Sequence, residues 1–339
     1  MNISCPNPDC RVAETGKCVE GFNVEECPHQ KSAVAEPESP DQHASSDASG
    51  TQERPSDFFV ASGNILTIAE ATNVLRSGTT RVITIIGPSK SGKTTFGVSL
   101  YDAFQNGTFD RWSFGGSLTL PAFEKRCHLA RAESGKSSPD TQRTPLSDGL
   151  GFLHLAIYSN ETRRVNLLIS DRSGEFYTAV ADSQEDIKKV YEVARADYVL
   201  FLLDGEKLAS DERHGVKSDL MIVLETFVEG GILGKYHRVG IALTKYDLVL
   251  NSGLRERVEN DFNRLLESIR KRYASALLEI NATKIAARPT NNLVEPRFGV
   301  LNVLEDCMRQ RACKDFVTPA RLQVDRWFHR LSIIDGGAQ

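Results

Sequence analysis

Nine consecutive residues, Gly87-Pro88-Ser89-Lys90-Ser91-Gly92-Lys93-Thr94-Thr95, carry the most specific chemistry in the sequence. They fit the pattern G-x-x-x-x-G-K-[ST], in which glycines let successive backbone N–H groups curl around a phosphate. The helix that follows adds partial positive charge from its N-terminus. Lys93 would reach the outer phosphates of a polyphosphate chain, and Thr94 would offer a hydroxyl to Mg²⁺. Further on, an apolar run ends in Asp171-Arg172-Ser173-Gly174. A carboxylate there can hold a divalent cation through water, and Gly174 can present its N–H to a terminal phosphate. Thr244-Lys245-Tyr246-Asp247 fits [NT]-K-x-D. The Asp247 carboxylate can accept from the N1–H and the exocyclic amine of guanine together, while the stem of Lys245 lies along the purine face. Adenine has no such donor pair and would leave the carboxylate unpaired. Last comes Asn281-Ala282-Thr283, where the small Ala282 would let a backbone N–H approach the guanine carbonyl oxygen. Taken singly, these segments have plainer readings: a Gly-rich turn, an Asp that caps a helix, a salt-bridged surface turn. Their order along the chain favours the chemical one.

Such residues work together only if a scaffold brings them to one edge. From Phe58 onward short β-branched runs alternate with longer helical ones. Strands are expected at 81–86, 152–158, 165–170, 198–203, 239–243 and 276–280. The second and third are joined by a turn at Asn160-Glu161-Thr162. Helices are expected at 93–105, 184–196, 216–229, 254–273 and 300–314, with an amphipathic one at 319–331 that packs on its own domain. This alternation predicts an α/β fold with a mostly parallel central sheet and helices on both faces. Ligands on such sheets bind beyond the C-terminal ends of the strands, and each motif above directly follows an expected strand.

The chain has 339 residues, 40% hydrophobic and 25% charged, with a net charge of −4. That composition excludes collagen-like, wholly disordered and disulfide-dense classes. The apolar runs fall short of the roughly 18–20 residues a membrane span needs, and no basic segment leads into an apolar core at the start. A cytoplasmic protein is expected. Residues 1–57 hold 4 Lys/Arg against 11 Asp/Glu, and the rest 37 against 34. Neither part is basic enough to point to direct nucleic-acid binding. Residues 1–30 form a cysteine-rich module, 31–57 a flexible Ser/Ala/Glu/Pro linker, and 58–339 the phosphate-binding domain. Cys5, Cys10, Cys18 and Cys27, with His29 close by, are spaced C-x4-C-x7-C-x8-C-x-H. In a cytosolic chain they suit structural Zn²⁺, with an iron–sulfur cluster or free thiols as alternatives. A partner-docking role fits this small acidic module. Cys307 and Cys313 are expected as core or surface cysteines.

The ordered motifs resemble those of P-loop GTPases of the translation-factor-related (TRAFAC) class, which includes Ras-like proteins, over residues 78–312. With its cysteine-rich head, the chain is also similar to bacterial double-GTPase proteins that are predicted to act in conflict or immunity systems. The resemblance implies a three-layer P-loop sandwich and a Mg²⁺-dependent GTP/GDP switch with hydrolysis. It also implies an effector protein, which could be a second GTPase or a second copy meeting across the nucleotide. A scaffold that binds GTP with negligible hydrolysis is the alternative. In this family a Thr of the loop after the first helix completes the Mg²⁺ shell. Here that loop is a long insert, 106–151, whose first half has apolar content that suits a small folded unit. Thr144 is the expected ligand and Thr141 the alternative. Glu175 stands where Ras-like proteins place a water-positioning Gln; it could act as a base or leave turnover slow. Lys90 occupies the position of a cis-acting Arg in the atlastin and guanylate-binding families. A cation there could neutralise charge in the transition state, or it could point to solvent. Arg172 is a second candidate cation.

Overall fold

The computed structural model describes residues 62–105, 107–128, 149–159, 162–181 and 186–309. Among these, β1 (Thr80–Ile86), β2 (Ser113–Gly116), β3 (Gly151–Ser159), β4 (Thr162–Asp171), β5 (Tyr198–Asp204), β6 (Arg238–Thr244) and β7 (Glu279–Lys284) build one sheet. The strand order is β2-β3-β4-β1-β5-β6-β7. β1 pairs in parallel with β4 and β5, and β6 with β5 and β7. β2 and β3 run antiparallel to their neighbours.

Helices cover both faces, which is why β5, Tyr-Val-Leu-Phe-Leu-Leu-Asp, is apolar almost throughout and buried throughout. Val199, Phe201 and Leu203 face one core with α4 (Gly174–Ala181), α7 (Arg213–Glu229) and α9 (Arg255–Tyr273). Leu200 and Leu202 face the other with α2 (Lys93–Gln105), α3 (Leu120–His128) and α10 (Val300–Met308). Each such side chain, fully buried, contributes about 1.5–3 kcal/mol. A smaller cluster seats α1 (Ile68–Ser77) on Val82, Phe152 and Leu168. The two short helices α6 (Gly205–Leu208) and α8 (Tyr246–Asn251) begin directly after β5 and β6.

The first part of the insert folds as a unit of the main domain. Trp112 is 2% exposed, and its indole N–H donates to the Glu305 carboxylate at 2.6 Å. β2 then extends the sheet at its edge, and Phe123 of α3 stacks on Tyr101 of α2 with ring centroids 4.7 Å apart.

Two elements depart from the sequence reading. The single helix expected at 184–196 is instead a 3₁₀ turn, Asp186–Lys189, followed by α5 (Tyr191–Arg195), with a break at Val190. The strand expected at 276–280 begins later, as β7. The N–H groups of Ala276 and Leu277 both donate to the Tyr273 carbonyl and close the turn after α9. Leu277 is buried there and Leu278 is exposed, so their apolarity reflects a helix end rather than a strand. Helix α10 is described as far as Met308. Residues 310–314, with Cys313, and 319–331 lie outside the described residues.

Candidate functional site

The phosphate-loop segment joins β1 to α2, as its pattern requires. Gly92 adopts φ +100°, a backbone conformation that side chains rarely tolerate. Lys90 is exposed and also has positive φ, 65°. The ammonium of Lys93 donates to the carbonyls of Gly87 at 2.8 Å and Pro88 at 2.9 Å. The loop therefore curls around its own lysine. Ser91 is fully buried, and its carbonyl accepts from the Thr244 hydroxyl at 2.9 Å. One motif residue at the end of β6 thus braces another at the end of β1. The Ser91 hydroxyl is buried with no partner among the described residues.

Asp171 ends β4 and is 8% exposed. Its Oδ2 accepts from Nη2 of Arg126, on α3, at 2.5 Å. Both side chains are about as buried as each other, 11% and 9% exposed. Gly174 starts α4 against the phosphate loop. A methyl group there would lie 2.4 Å from the Gly87 carbonyl oxygen and 2.6 Å from Lys93 Nζ, so the close approach depends on glycine. Arg172 lines the cavity, but its guanidinium is already engaged. Its guanidinium donates to Glu192 at 2.7 Å and to the Lys189 carbonyl at 3.2 Å, and it lies over the Phe176 ring. Glu192 is itself buried and also accepts from the Tyr177 hydroxyl at 3.1 Å. Burial, with the Glu192 charge beside it, raises the Tyr177 pKa well above the usual value. Glu175 is exposed on the first turn of α4 and does not line the cavity.

At the other end, Asp247 is 3% exposed. Its Oδ2 accepts from the Thr290 N–H at 2.9 Å and the Thr290 hydroxyl at 3.0 Å. Lys245, with φ 53°, caps α8 and forms ion pairs with Asp204 and Glu206, each at 2.8 Å. Burial opposes its charge, but the hydrogen bonds it donates to these two carboxylates outweigh that and raise its pKa. Asn281, Ala282 and Thr283 lie inside β7, paired with Gly240, Ile241 and Ala242 of β6. β7 ends at Lys284, and it is Ile285-Ala286-Ala287-Arg288, rather than the expected 281–283, that line the cavity. Ala286 donates its N–H to the Phe298 carbonyl at 3.0 Å, which leaves Ala287 as the small residue with a backbone donor to offer.

One cavity of about 500 Å³ joins the two ends, within the usual range for small-molecule sites. Ser89, Lys90, Gly92, Lys93, Thr94 and Thr95 line its phosphate end, with Gly174 beside them. Thr244, Lys245 and Asp247 line its base end with Ala287 and Thr290. Gly87, Ser91 and Asp171 are not among the residues that line it. Thr144, Thr141, Cys5, Cys10, Cys18, Cys27 and His29 lie outside the described residues. Within the described residues no cluster of three or more His, Cys, Asp or Glu is placed to hold a metal ion. No helix there is long and apolar enough to cross a membrane.

The site fits a nucleotide at both ends. The phosphate loop has its glycine conformation and its lysine, and Asp247 is a pre-oriented acceptor. The hydroxyl of Thr94 and the carboxylate of Asp171 are hard oxygen donors suited to Mg²⁺, with Arg126 at present against the latter. Sequence reasoning missed Arg126, Thr290 and Ala287. The Ala-Ala pair was findable from a correctly placed β7; nothing local marks Arg126 as a partner of Asp171.

Residues 81–308 match the family described as Double-GTPase 2. Among solved structures, the signal recognition particle receptor SRb-GTP/SRX complex from Chaetomium thermophilum is 16% identical with a TM-score of 0.36. That match covers 63% of this chain and 94% of the other. The bacterial selenocysteine-specific elongation factor EF-Sec is 16% identical with a TM-score of 0.32, over 61% of this chain and 26% of the other. A comparison with curated proteins finds no match.

Proposed function

The chain belongs to the Double-GTPase 2 family, and on that premise we propose that it is a Mg²⁺-dependent switch that binds and hydrolyses GTP. The observation that carries this reading is the single cavity with a phosphate loop at one end and Asp247, fixed by Thr290, at the other. Lys93 exchanges the Gly87 and Pro88 carbonyls for phosphate oxygens when the triphosphate enters. Asp247 accepts from the two guanine donors, and the Ala287 N–H faces the guanine carbonyl. Thr94 and Asp171 are the residues that would hold Mg²⁺, which supplies positive charge to the phosphates. Gly174, seated against the phosphate loop, has to yield to a terminal phosphate, so the start of α4 moves with nucleotide state. Lys90, at the cavity rim, is the cation we assign to charge neutralisation during hydrolysis. The family resemblance supports a role for the switch in a multiprotein, conflict-type system, acting through an effector or a second copy of the chain. The cysteine-rich head is proposed as a Zn²⁺-stapled docking module.

One observation favours the slower alternative, a GTP-gated scaffold. Arg172, the second cation of the site, is engaged by buried Glu192, so little besides Lys90 is left to assist turnover within one molecule. Both readings meet the same test. GTP turnover is measured over a range of protein concentrations, with ATP as control and Lys90→Ala beside the wild type. We expect GTP-selective turnover that falls about tenfold in Lys90→Ala with little change in GTP affinity. Unchanged turnover in the variant contradicts the role of Lys90. GTP binding without turnover at any concentration replaces the hydrolase with the scaffold.

A further inference from the structure

Asp171 and Arg126 come from different parts of the chain. Asp171 ends β4, and Arg126 sits in the last turns of α3, inside the insert. Their contact at 2.5 Å is buried on both sides. Breaking a buried pair by removing one partner is strongly destabilising, so Asp171 needs positive charge beside it at the end of β4. Yet the arginine is poorly satisfied. Its Nη1 reaches only the Ala122 carbonyl, at 3.4 Å, and its Nε is buried with no acceptor among the described residues. An orphaned buried donor is destabilising. A guanidinium placed to maximise stability would use its fork; this one neutralises a charge and little more.

We propose that Arg126 is an internal counter-ion that occupies the carboxylate of Asp171 until Mg²⁺ displaces it, so that α3 reads whether the metal is in place. The inference rests on the proposed nucleotide site and adds the regulation of that site. Arg126 on Oδ2 and a metal held by Asp171 draw on the same buried negative charge, so each weakens the other's hold on the carboxylate. The consequence is carried through α3. Tyr101 and Gln105 of α2 both donate to Glu124 of α3, at 2.6 and 2.8 Å. The Ala122 N–H donates to the Gly63 carbonyl at 3.0 Å. Release of Arg126 therefore loosens a helix that touches both the phosphate-binding helix and the segment before α1. The insert becomes the part of the surface that differs between metal-free and metal-loaded protein.

The test titrates Mg²⁺ into the full chain with a fluorescent GTP analogue bound in EDTA, for wild type, Arg126→Gln and Arg126→Lys. Removing the competitor should lower the Mg²⁺ concentration for half-maximal effect by about tenfold in Arg126→Gln, a typical coupling between linked sites. Arg126→Lys, which keeps the charge, should shift less. A midpoint that is unchanged or higher in Arg126→Gln overturns the proposal. A second readout needs only the wild type: amide exchange across Leu120–His128 should speed up when Mg²⁺ is added to the GTP-bound protein. No change, or slower exchange, overturns the proposal even if Arg126→Gln fails to fold. If wild-type protein binds no GTP analogue at all, the nucleotide reading itself fails, and the counter-ion proposal falls with it. Nucleotide binding with an indifferent Mg²⁺ midpoint defeats the counter-ion proposal alone.

Discussion

At Asp247, Oδ2 takes both the N–H and the hydroxyl of Thr290, so the carboxylate is locked before any ligand arrives. On the proposed reading, that locking makes base choice a property of one side chain. Asp247→Asn replaces one acceptor with a donor, which then faces the donors of guanine. GTP affinity should fall by about a hundredfold, while xanthosine triphosphate, with a carbonyl where guanine has its amine, should gain. Competition binding with the two nucleotides checks this, and an unaltered preference for GTP would remove Asp247 from the base contact. Asp247 was legible in the sequence because four contiguous residues define its chemistry. Thr290 was not, because its role depends on a loop returning 43 residues later. Arg126 was hidden for the same reason: the partner it neutralises is 45 residues away, and an arginine near the end of an amphipathic segment looks like any surface arginine.

At the scale of elements, the strands that hold the site were readable because apolar runs such as that of β5 are buried on both faces, and a continuous run has one reading. β7 was misplaced because it is an edge strand with half-buried, partly polar residues, while the nearby Leu277 belongs to a helix end. With β7 ending at Lys284, the 285–288 segment lines the cavity, where the sequence reading places Ala282. The insert is anchored by His154 on β3. Its Nδ1 accepts the Leu118 N–H at 3.0 Å, so the proton sits on Nε2, which donates to Asn166 Oδ1 at 3.2 Å. Burial lowers the His154 pKa below 6.5, although the Asn166 contact pulls the other way. Below that pH the unfolded chain binds a proton that the folded chain refuses. The contribution is thus fully present above 6.5 and is lost as pH falls toward the folded pKa. Thermal unfolding from about pH 7.5 down to 5.5 should show a steeper loss in wild type than in His154→Gln. Equal slopes would mean that His154 titrates alike in both states.

In the molecule as a whole, four strands of the parallel part, β4, β1, β5 and β6, send their loops to one edge, and the segment after β7 closes the ring. The base end of that edge is assembled, with Asp247 and Lys245 each held by partners. The phosphate end is self-occupied: Lys93 by the loop carbonyls, Asp171 by Arg126, and Gly174 packed against the loop. A guanine nucleotide should therefore dock by its base, and its outer phosphates and metal should do the work of rearrangement. On the proposed reading, this asymmetry would couple occupancy to a change in the insert and in α4. The most direct test is competition for a fluorescent GDP analogue on the full-length protein by GTP, GDP and ATP. GTP and GDP should displace the analogue, with ATP weaker by about a hundredfold, the scale of one unpaired buried carboxylate. Displacement by ATP as effective as by GTP, or failure of the analogue to bind, would contradict the account.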